Sequence, residues 1–321
     1  MHIIKTIAAA AAAAFVFAGA AHSQDYPERP VTIIVPYSAG GSTDILGRLI
    51  ADELQKKLNA SFVVENRGGA GSALGTQFVA QAQADGYTLL MASSAHTVNP
   101  AIRDDIGYDP VKDFEPISRL VTIPHVLVVN KDFAPNTVQE LVDYAKVHPG
   151  EVNYGSSGPG TSNHLESELF ASKAGIELTH VPYQGVGPAI TDLLAGRLQM
   201  IMGSLPSMRS NIDASAVKAV AVTSLKRAPT DPELPTIDES GIAGFETVDW
   251  LGLLAPAGTD PAIVDKLAGA VSDIYEDEAF TKRLRELGFV PEGSSPKEFA
   301  DVIANDVWSK TARDLGIKAG N

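Results

Sequence analysis

Residues 31–44, VTIIVPYSAGGSTD, decide the fold of this chain of 321 residues. The segment begins with β-branched apolar residues, Val31 to Val35, which are typical of a strand covered on both faces in a parallel sheet. A turn at Gly40 and Gly41 follows, and beyond it apolar residues recur at helical spacing. These apolar residues are Ile45, Leu46, Leu49, Ile50, Leu54 and Leu58. The segment therefore predicts a strand, a tight turn and a helix that covers the sheet.

The turn consists of small residues, which leave backbone N–H groups open to a ligand at the start of the helix. These residues are Ser38, Ala39, Gly40, Gly41, Ser42 and Thr43. A helix N-terminus combines unpaired N–H groups with a partial positive charge, and both favour a bound anion. The turn therefore predicts an anion site.

Residues 1–23 have the composition of a secretory signal peptide. Lys5 precedes an alanine-rich run that is too short to span a bilayer comfortably, and small residues follow it. We expect the mature chain to begin at Gln24, with cleavage after Ala20 or Ala21 as alternatives, and to be periplasmic. The chain contains no cysteine, which excludes disulfides, a cysteine-linked lipid anchor and thiol chemistry.

The formal net charge is −14 at pH 7. Nucleic acid and anionic membranes need a basic surface, so this balance disfavours both as partners. An anionic ligand would have to be attracted locally, which backbone dipoles can do. The sequence contains no metal or cofactor motif that we could assign, and we predict no cofactor.

Two further strand-and-turn units follow within the first hundred residues. Residues 62–65 and 87–92 are strand candidates, each followed by small residues. Gly69 and Gly71 resemble part of a dinucleotide fingerprint, but Leu74 stands in place of the third glycine, so we interpret this segment as a tight turn. Three such units predict a parallel sheet whose ligand crevice lies at the carboxyl ends of the strands.

The second half of the chain repeats the pattern of a strand, a turn of small residues and a helix. Residues 125–129 form a strand candidate that enters a second lobe, and Thr137 caps a helix that ends near residue 147. Residues 152–163, VNYGSSGPGTSN, predict a strand, a Ser- and Gly-rich turn and a helix that opens at Thr161 or Ser162. The remaining candidates are strands at 178–181, 200–202, 217–222, 249–255 and 288–290, and helices from Pro188, Pro261, Asp277 and Ser295, the last continuing toward Leu315.

This order of elements predicts an α/β protein with a discontinuous first domain, residues 24–124 and 249–321, and an inserted second domain, residues 125–248. The chain crosses between the domains twice, and we expect hinges near residues 124–126 and 247–250.

Five ordered segments are similar to one known family. They are PYSAGGSTD, ENRGGAGSALG, ADGYTLL, YGSSGPGTSNHLESELF and HVPYQGVGPAITDLLAGRLQMI. Together they resemble the Bug family of periplasmic solute receptors, the binding proteins of tripartite tricarboxylate transporters. The resemblance implies a two-lobed receptor of the Venus flytrap kind, each lobe a mostly parallel sheet flanked by helices. It also implies capture of a small organic carboxylate and its presentation to membrane components of a transporter. Dicarboxylates, tricarboxylates, aromatic acids and acidic amino acids all stay open as ligands.

The candidate ligand-binding residues come from the loops at the predicted cleft. They are Tyr37, Ser38, Ala39, Gly40, Gly41, Ser42, Asp44, Ser93, His96, Ser156, Gly158, Gly160, Thr161, Ser162, His164, Tyr183, Gly187 and Asp249. We predict that N–H groups of residues 39–42 and 160–162 hold a ligand carboxylate. Asp44 is equally explained as a favourable charge at a helix N-terminus, whereas His125 and His180 are interpreted as core residues.

A secreted hydrolase remains the alternative function. The sequence has no G-x-S-x-G elbow, H-E-x-x-H pair or Walker A spacing. Scattered Ser, His and Asp residues nevertheless leave a hydrolase of carboxylate esters or amides open.

Overall fold

The computed structural model describes residues 26–228 and 230–318, so the predicted signal peptide lies outside the described residues. The strands are β1 (Val31–Val35), β2 (Phe62–Asn66), β3 (Thr88–Ser93), β4 (Phe114–Asn130), β5 (Asn153–Ser156), β6 (Thr179–Pro182), β7 (Met200–Ser204), β8 (Val217–Val222), β9 (Val248–Pro256) and β10 (Val290–Pro291). The helices are α1 (Ser42–Leu58), α2 (Ala73–Ala80), α3 (Ala95–Ile102), α4 (Val138–Val147), α5 (Ser162–Ala174), α6 (Val186–Leu194), α7 (Leu205–Asp213), α8 (Pro261–Tyr275), α9 (Glu278–Glu286), α10 (Pro296–Ala304) and α11 (Trp308–Asp314).

The strands form two connected sheets, one in each of two lobes. In lobe 1 the order is β2-β1-β3-β9-β4, with β1 parallel to β2 and β3, and β9 antiparallel to both of its neighbours. In lobe 2 the order is β4-β7-β5-β6, with β5 parallel to β6 and β7, and β4 antiparallel to β7 and β8. This is the predicted two-lobed α/β fold, to which β9 and β4 add antiparallel pairs.

Both faces of each sheet are buried, which explains why the sequences of the strands are nearly continuous apolar runs. Ile33 packs in a cluster with α1 on one face of the lobe 1 sheet, and its neighbour Ile34 packs with Phe299 of α10 on the other. In lobe 2, Leu127 and Val128 likewise point into clusters on opposite faces. Because successive side chains alternate across a strand, a strand covered twice has no polar face.

Strand β4 is longer than the sequence predicted, because it runs through Pro124 and crosses from lobe 1 to lobe 2. Pro124 is the last β4 residue paired with β9, opposite Val248, and His125 is the first paired with β7, opposite Ser204. A proline cannot donate to a strand ladder, but at this position the strand changes partners. The boundaries predicted near residues 124 and 248 stay a proposal, which this change of partner supports.

Two further differences concern helices. The helix predicted from Ser295 toward Leu315 is wrong as a single element, since α10 ends at Ala304 and α11 begins at Trp308. Helix α7 was not predicted, although Pro206 in its first turn is a recognised start signal. None of the helices in the described part of the chain is both long and apolar enough to cross a membrane.

Candidate functional site

A polar cavity lies between the two lobes. From lobe 1 it is lined by Tyr37, Gly41, Ser42, Thr43, Ser93 and Asp249, and from lobe 2 by His125, Ser157, Thr161, Ser162, Asn163, Val186, Ser204 and Ser207. Its volume is about 40 Å³, which by the usual measure of about 10–15 Å³ per water is room for about three waters. The lining is polar except for Val186, so the cavity suits a compact polar or charged group.

Three helices begin at this cavity. Ser42 and Thr43 lie in the first turn of α1, Ser162 and Asn163 in the first turn of α5, and Ser204 precedes α7. The backbone N–H groups of these four first-turn residues have no hydrogen-bond acceptor within residues 26–228 and 230–318. Unpaired N–H groups and helix dipoles from both lobes therefore converge on the same space, as an anion requires.

The lobe 1 turn is fixed by Asp44. The Gly40 N–H donates to the Asp44 carboxylate at 3.1 Å, and Arg48 and Asn66 donate to the same carboxylate at 2.8 and 3.0 Å. Burial raises the pKa of Asp44, but these hydrogen bonds outweigh it and hold the pKa below its ordinary value. Asp44 thus shapes the turn as an ionised side chain and lies outside the cavity lining.

The lobe 2 turn is fixed in the same way by His164. The Gly160 N–H donates to His164 Nδ1 at 3.1 Å, and the Thr161 hydroxyl donates to the Gly158 carbonyl at 2.6 Å. In both lobes, the side chain of the third residue of the helix accepts a hydrogen bond from the backbone N–H of the residue just before the N-cap. The Gly40 and Gly160 N–H groups, two of the predicted anion donors, are therefore engaged within the protein. The N–H groups of the predicted donors Ser42 and Ser162, and of the neighbouring Thr43 and Asn163, stay unpaired among the described residues.

His164 is part of an aromatic stack beneath the lobe 2 turn. Its ring lies 4.1 Å from that of His180, centroid to centroid, and burial lowers the pKa of His164 to about 3 and of His180 to about 4. Both rings are therefore neutral at physiological pH, which His164 needs in order to accept the Gly160 N–H. His164 supports the binding turn and lies outside the cavity lining.

Ser156 and His180 form a close pair that superficially resembles a nucleophile and its base. Ser156 Oγ lies 2.5 Å from His180 Nε2 and also accepts the Gly158 N–H at 3.0 Å. Ser156 is fully buried, however, and lies outside the cavity lining. The pair therefore shapes the turn and cannot reach a substrate in the cavity, which weakens the hydrolase alternative.

Asp249 joins the lobes across the cavity. Its carboxylate accepts the Ser162 hydroxyl of lobe 2 at 2.7 Å and the N–H groups of Ser94 and Trp250 of lobe 1 at 3.3 and 2.7 Å. These donors offset the charge that would otherwise repel an anion. The contact exists only while the lobes are together.

Tyr37 and Ser93 form the lobe 1 wall of the cavity. The Tyr37 hydroxyl lies 2.7 Å from Ser93 Oγ, and burial raises the pKa of Tyr37 to about 12. Tyr37 consequently stays protonated at neutral pH and remains able to donate a hydrogen bond.

Beside the cavity, the lobes touch through backbone. The Ser38 N–H donates to the Gln184 carbonyl at 3.1 Å. A Cβ added to Gly187 would lie 2.5 Å from the Ala39 carbonyl oxygen, and one added to Gly71 would collide with the Pro159 carbonyl. The predicted residues Ser38, Ala39, Gly158 and Gly187 therefore belong to the contact between closed lobes and not to the cavity lining.

Two of the residues predicted to bind the ligand, His96 and Tyr183, lie away from the cavity. His96 is buried against Tyr108 and Phe114, its Nε2 lies 2.8 Å from the Pro110 carbonyl, and burial lowers its pKa to about 4. Tyr183 donates its hydroxyl to Asp192 at 2.7 Å. Neither side chain lines the cavity.

The sequence analysis missed several lining residues, of which His125 is the most important. We interpreted His125 as core, but it lines the cavity and its Nδ1 lies 2.5 Å from Glu166 Oε2. The candidate list also lacks Thr43, Ser157, Asn163, Val186, Ser204 and Ser207, although Thr43 belongs to the predicted anion turn and Ser157 and Asn163 to the predicted segment 152–163. For Ser204 the available signal was a serine before Leu205-Pro206 at a helix start.

Comparison with known proteins identifies the family of this chain. Residues 46–315 match the model of the tripartite tricarboxylate transporter family receptor. The chain belongs to this receptor family. The predicted resemblance to Bug proteins is confirmed by the solved periplasmic binding protein BugD, which is 37% identical with a TM-score of 0.88, the match covering 91% of this chain and 99% of BugD.

Two further similar proteins have been solved with a small carboxylate. A Rhodopseudomonas palustris protein solved with adipate is 37% identical with a TM-score of 0.89, over 91% of this chain and 99% of that one. MatC from the same organism, solved with bound malate, is 32% identical with a TM-score of 0.85, over 89% of this chain and 99% of that one. This receptor chain is thus similar over nearly its whole length to proteins that bind small carboxylates.

Proposed function

We propose that this receptor captures a small organic carboxylate between its lobes, with one carboxylate group in the cavity, and presents it to the membrane components of a tripartite tricarboxylate transporter. A dicarboxylate is favoured, because the similar receptors were solved with adipate and with malate. The receptor has no catalytic role in this proposal.

One observation carries the proposal: unpaired first-turn N–H groups of α1 and α5 meet in one polar cavity from opposite lobes. A carboxylate there would accept N–H groups from both lobes at once. Charge-assisted hydrogen bonds contribute roughly 1.5–3 kcal/mol each, and each helix dipole adds about 0.3–1 kcal/mol. Two or three such bonds, together with burial of the ligand body, reach the binding energy of about −8 kcal/mol that corresponds to micromolar affinity.

The same geometry couples binding to closure. A ligand that touches both lobes binds the closed form better than the open form, and about 5.5 kcal/mol of differential affinity moves a population from 1:99 to 99:1. The hinges in this proposal are the two crossings near residues 124–126 and 247–250. They are linked through Thr223, whose Oγ1 accepts the His125 N–H at 3.0 Å and donates to the Thr247 carbonyl at 2.9 Å.

A thermal-shift screen of carboxylates, followed by calorimetry, tests the function. Ligand at about 100-fold above its Kd stabilises a protein by about 2.7 kcal/mol, so a true ligand gives a clear shift. Small-angle scattering at saturation should show a smaller radius of gyration. Turnover of carboxylate esters or amides would support the hydrolase instead, and a panel without any stabilising carboxylate would refute the receptor proposal.

Ser42→Pro tests the backbone donor itself, with Ser42→Ala as its matched control. Proline is tolerated at the first helical position, and Gly41 has the extended backbone, φ −87° and ψ 168°, that a following proline favours. Both variants lose the hydroxyl, but only Ser42→Pro loses the N–H. We expect about 10- to 100-fold weaker binding for Ser42→Pro than for Ser42→Ala, as for one hydrogen bond to a charged group. Equal affinities would show that this N–H does not hold the ligand.

The periplasmic location is part of the proposal, since it depends on cleavage of residues 1–23. Intact mass of the exported protein should match a chain beginning near Gln24. Retention of the N-terminal residues would count against it.

A further inference from the structure

Among the described residues that line the cavity, His125 is the one whose side chain can carry a positive charge. The cavity-lining residues include no lysine or arginine, and their titratable side chains are Tyr37, His125 and Asp249. Asp249 brings a negative charge, and the net charge of the chain is −14. An anionic ligand therefore enters a site whose side chains, apart from His125, offer no cationic partner.

The position of His125 is fixed by its backbone. It is the first residue of β4 in lobe 2, its N–H donates to Thr223 Oγ1 at 3.0 Å, and its carbonyl accepts the Thr223 N–H at 2.9 Å. The side chain is 3% exposed and still lines the cavity. The ring is thus held at the wall of the binding site, next to one of the two crossings between lobes.

Glu166 of α5 fixes the ring orientation. The buried Glu166 carboxylate lies 2.5 Å from His125 Nδ1, so Nδ1 donates to it and the remaining Nε2 is left for the cavity. Within the described residues Nε2 has no hydrogen-bond partner, and it is absent from the fully buried unpaired atoms. An imidazolium bound in this way presents an Nε2–H donor to the ligand space.

We infer that His125, held by Glu166, is a specificity-determining residue that donates its Nε2–H as an imidazolium to an anionic group of the bound ligand. This inference rests on the proposed function, because it assigns a second contact to the same carboxylate ligand. It selects anions over neutral polar molecules, and it makes binding depend on one proton.

The groups around His125 favour that proton. Burial alone would lower the pKa of His125, but the charge and hydrogen bond of Glu166 on α5, with a smaller effect of Asp249 on β9, raise it above its ordinary value of 6.5. Burial also raises the pKa of Glu166, more than His125 lowers it. The Glu166 carboxylate beside Nδ1 thus favours the protonated form of His125. The β7 and β8 neighbours Ser204 and Thr223 offer only hydroxyls, and Tyr37 titrates near pH 12.

The protonation state of His125 sets the direction in which ligand affinity changes with pH. An anion binds best while His125 is protonated, so affinity is full below the pKa of His125 and falls as pH rises through it. Ligand carboxyl groups titrate near pH 4, and adipate and malate therefore stay anionic above about pH 6.5. A change in affinity above that pH comes from the protein.

The inference is tested by calorimetry with adipate and malate between about pH 6.5 and 9.5. The titrations are repeated in buffers of different ionisation enthalpy, which measures the protons taken up on binding. We expect Kd to rise about 10- to 100-fold across the titration of His125, the loss of one charge-assisted hydrogen bond, with proton uptake on binding at the alkaline end. A pH-independent Kd with no proton uptake would overturn the inference while leaving the receptor function intact. Failure of every carboxylate to bind at any pH would overturn both.

Variants separate the charge from the shape of the side chain. His125→Gln keeps an N–H donor without a charge and should bind weakly at all pH values. Glu166→Gln should shift the loss of affinity to lower pH, because the raised pKa of His125 depends on that carboxylate. His148→Gln, outside the cavity at the end of α4, is the matched control and should keep the native profile. If His125→Gln does not fold, the native and Glu166→Gln profiles still decide, and identical profiles for these two refute the role of the pair.

Discussion

Gly187→Ala should separate closure of the lobes from stability of the fold. Gly187 lies in the first turn of α6, in lobe 2, and its Cβ position is 2.5 Å from the Ala39 carbonyl oxygen of lobe 1. Ordinary contacts of a Cβ begin near 3.4 Å, so the closed lobes would have to separate by roughly 1 Å or distort. Because the obstacle is backbone, no side-chain rotation relieves it.

The substitution should destabilise the arrangement in which the lobes are in contact and slightly stabilise the open, ligand-free protein. Overpacking by one methyl group in a tight interface costs typically about 1–3 kcal/mol, which corresponds to about 5- to 150-fold weaker ligand binding. Within lobe 2 the substitution is favourable, since alanine stabilises a helix over glycine by up to about 1 kcal/mol. The open, ligand-free protein should therefore be as stable as the native protein, or slightly more so.

The assay pairs calorimetry of the identified ligand with thermal unfolding of the ligand-free protein. Gly269→Ala in α8 is the matched control, because a Cβ there meets nothing within 4 Å and gains only the helix preference. We expect weaker binding and a larger radius of gyration at equal ligand saturation only for Gly187→Ala. Native affinity in this variant would refute the reasoning that binding requires the observed contact of the lobes.

Ser162→Ala removes the hydroxyl that reaches Asp249 across the cavity, and should weaken ligand binding by roughly 1.5–3 kcal/mol without lowering the melting temperature of the ligand-free protein. A substantially lower melting temperature would instead place this contact among those that stabilise the fold. Thr137→Ala removes the side-chain cap of α4, a bond from the Glu140 N–H at 3.1 Å, and should cost about 1 kcal/mol of stability. Because α4 lies outside the cavity lining, calorimetry should find the Kd of this variant unchanged.

Local sequence was sufficient for the units from which the site is built. A run such as VTIIV followed by two glycines and an amphipathic segment determines a strand, turn and helix from side-chain branching and spacing alone. The same rules predicted that α5 opens at Thr161 or Ser162, and it begins at Ser162. The prediction of an anion site also rests on local rules, because any helix N-terminus leaves N–H groups unpaired.

Which of those N–H groups are engaged within the protein was decided by contacts that spacing did not reveal. In each lobe a side chain in the first helical turn, Asp44 or His164, turns back to accept the N–H of Gly40 or Gly160. That choice depends on the ionised state of Asp44, maintained by hydrogen bonds from Arg48 and Asn66, and on the buried, neutral state of His164. Gly40 and Gly160 therefore drop out of the predicted donors, whereas the N–H groups of Ser42 and Ser162 stay unpaired among the described residues.

Pattern and spacing determined the first strand, its glycine turn and the helix that follows, because each depends on neighbours within a few residues. The tertiary structure alone decided that β4 continues through Pro124, since a strand is defined by its partners, and here β9 and β7 take over from one another at that residue. It also placed His125 at the cavity instead of the core, because the environment of a strand residue is set by distant segments, Glu166 of α5 and Thr223 after β8, that fold against it.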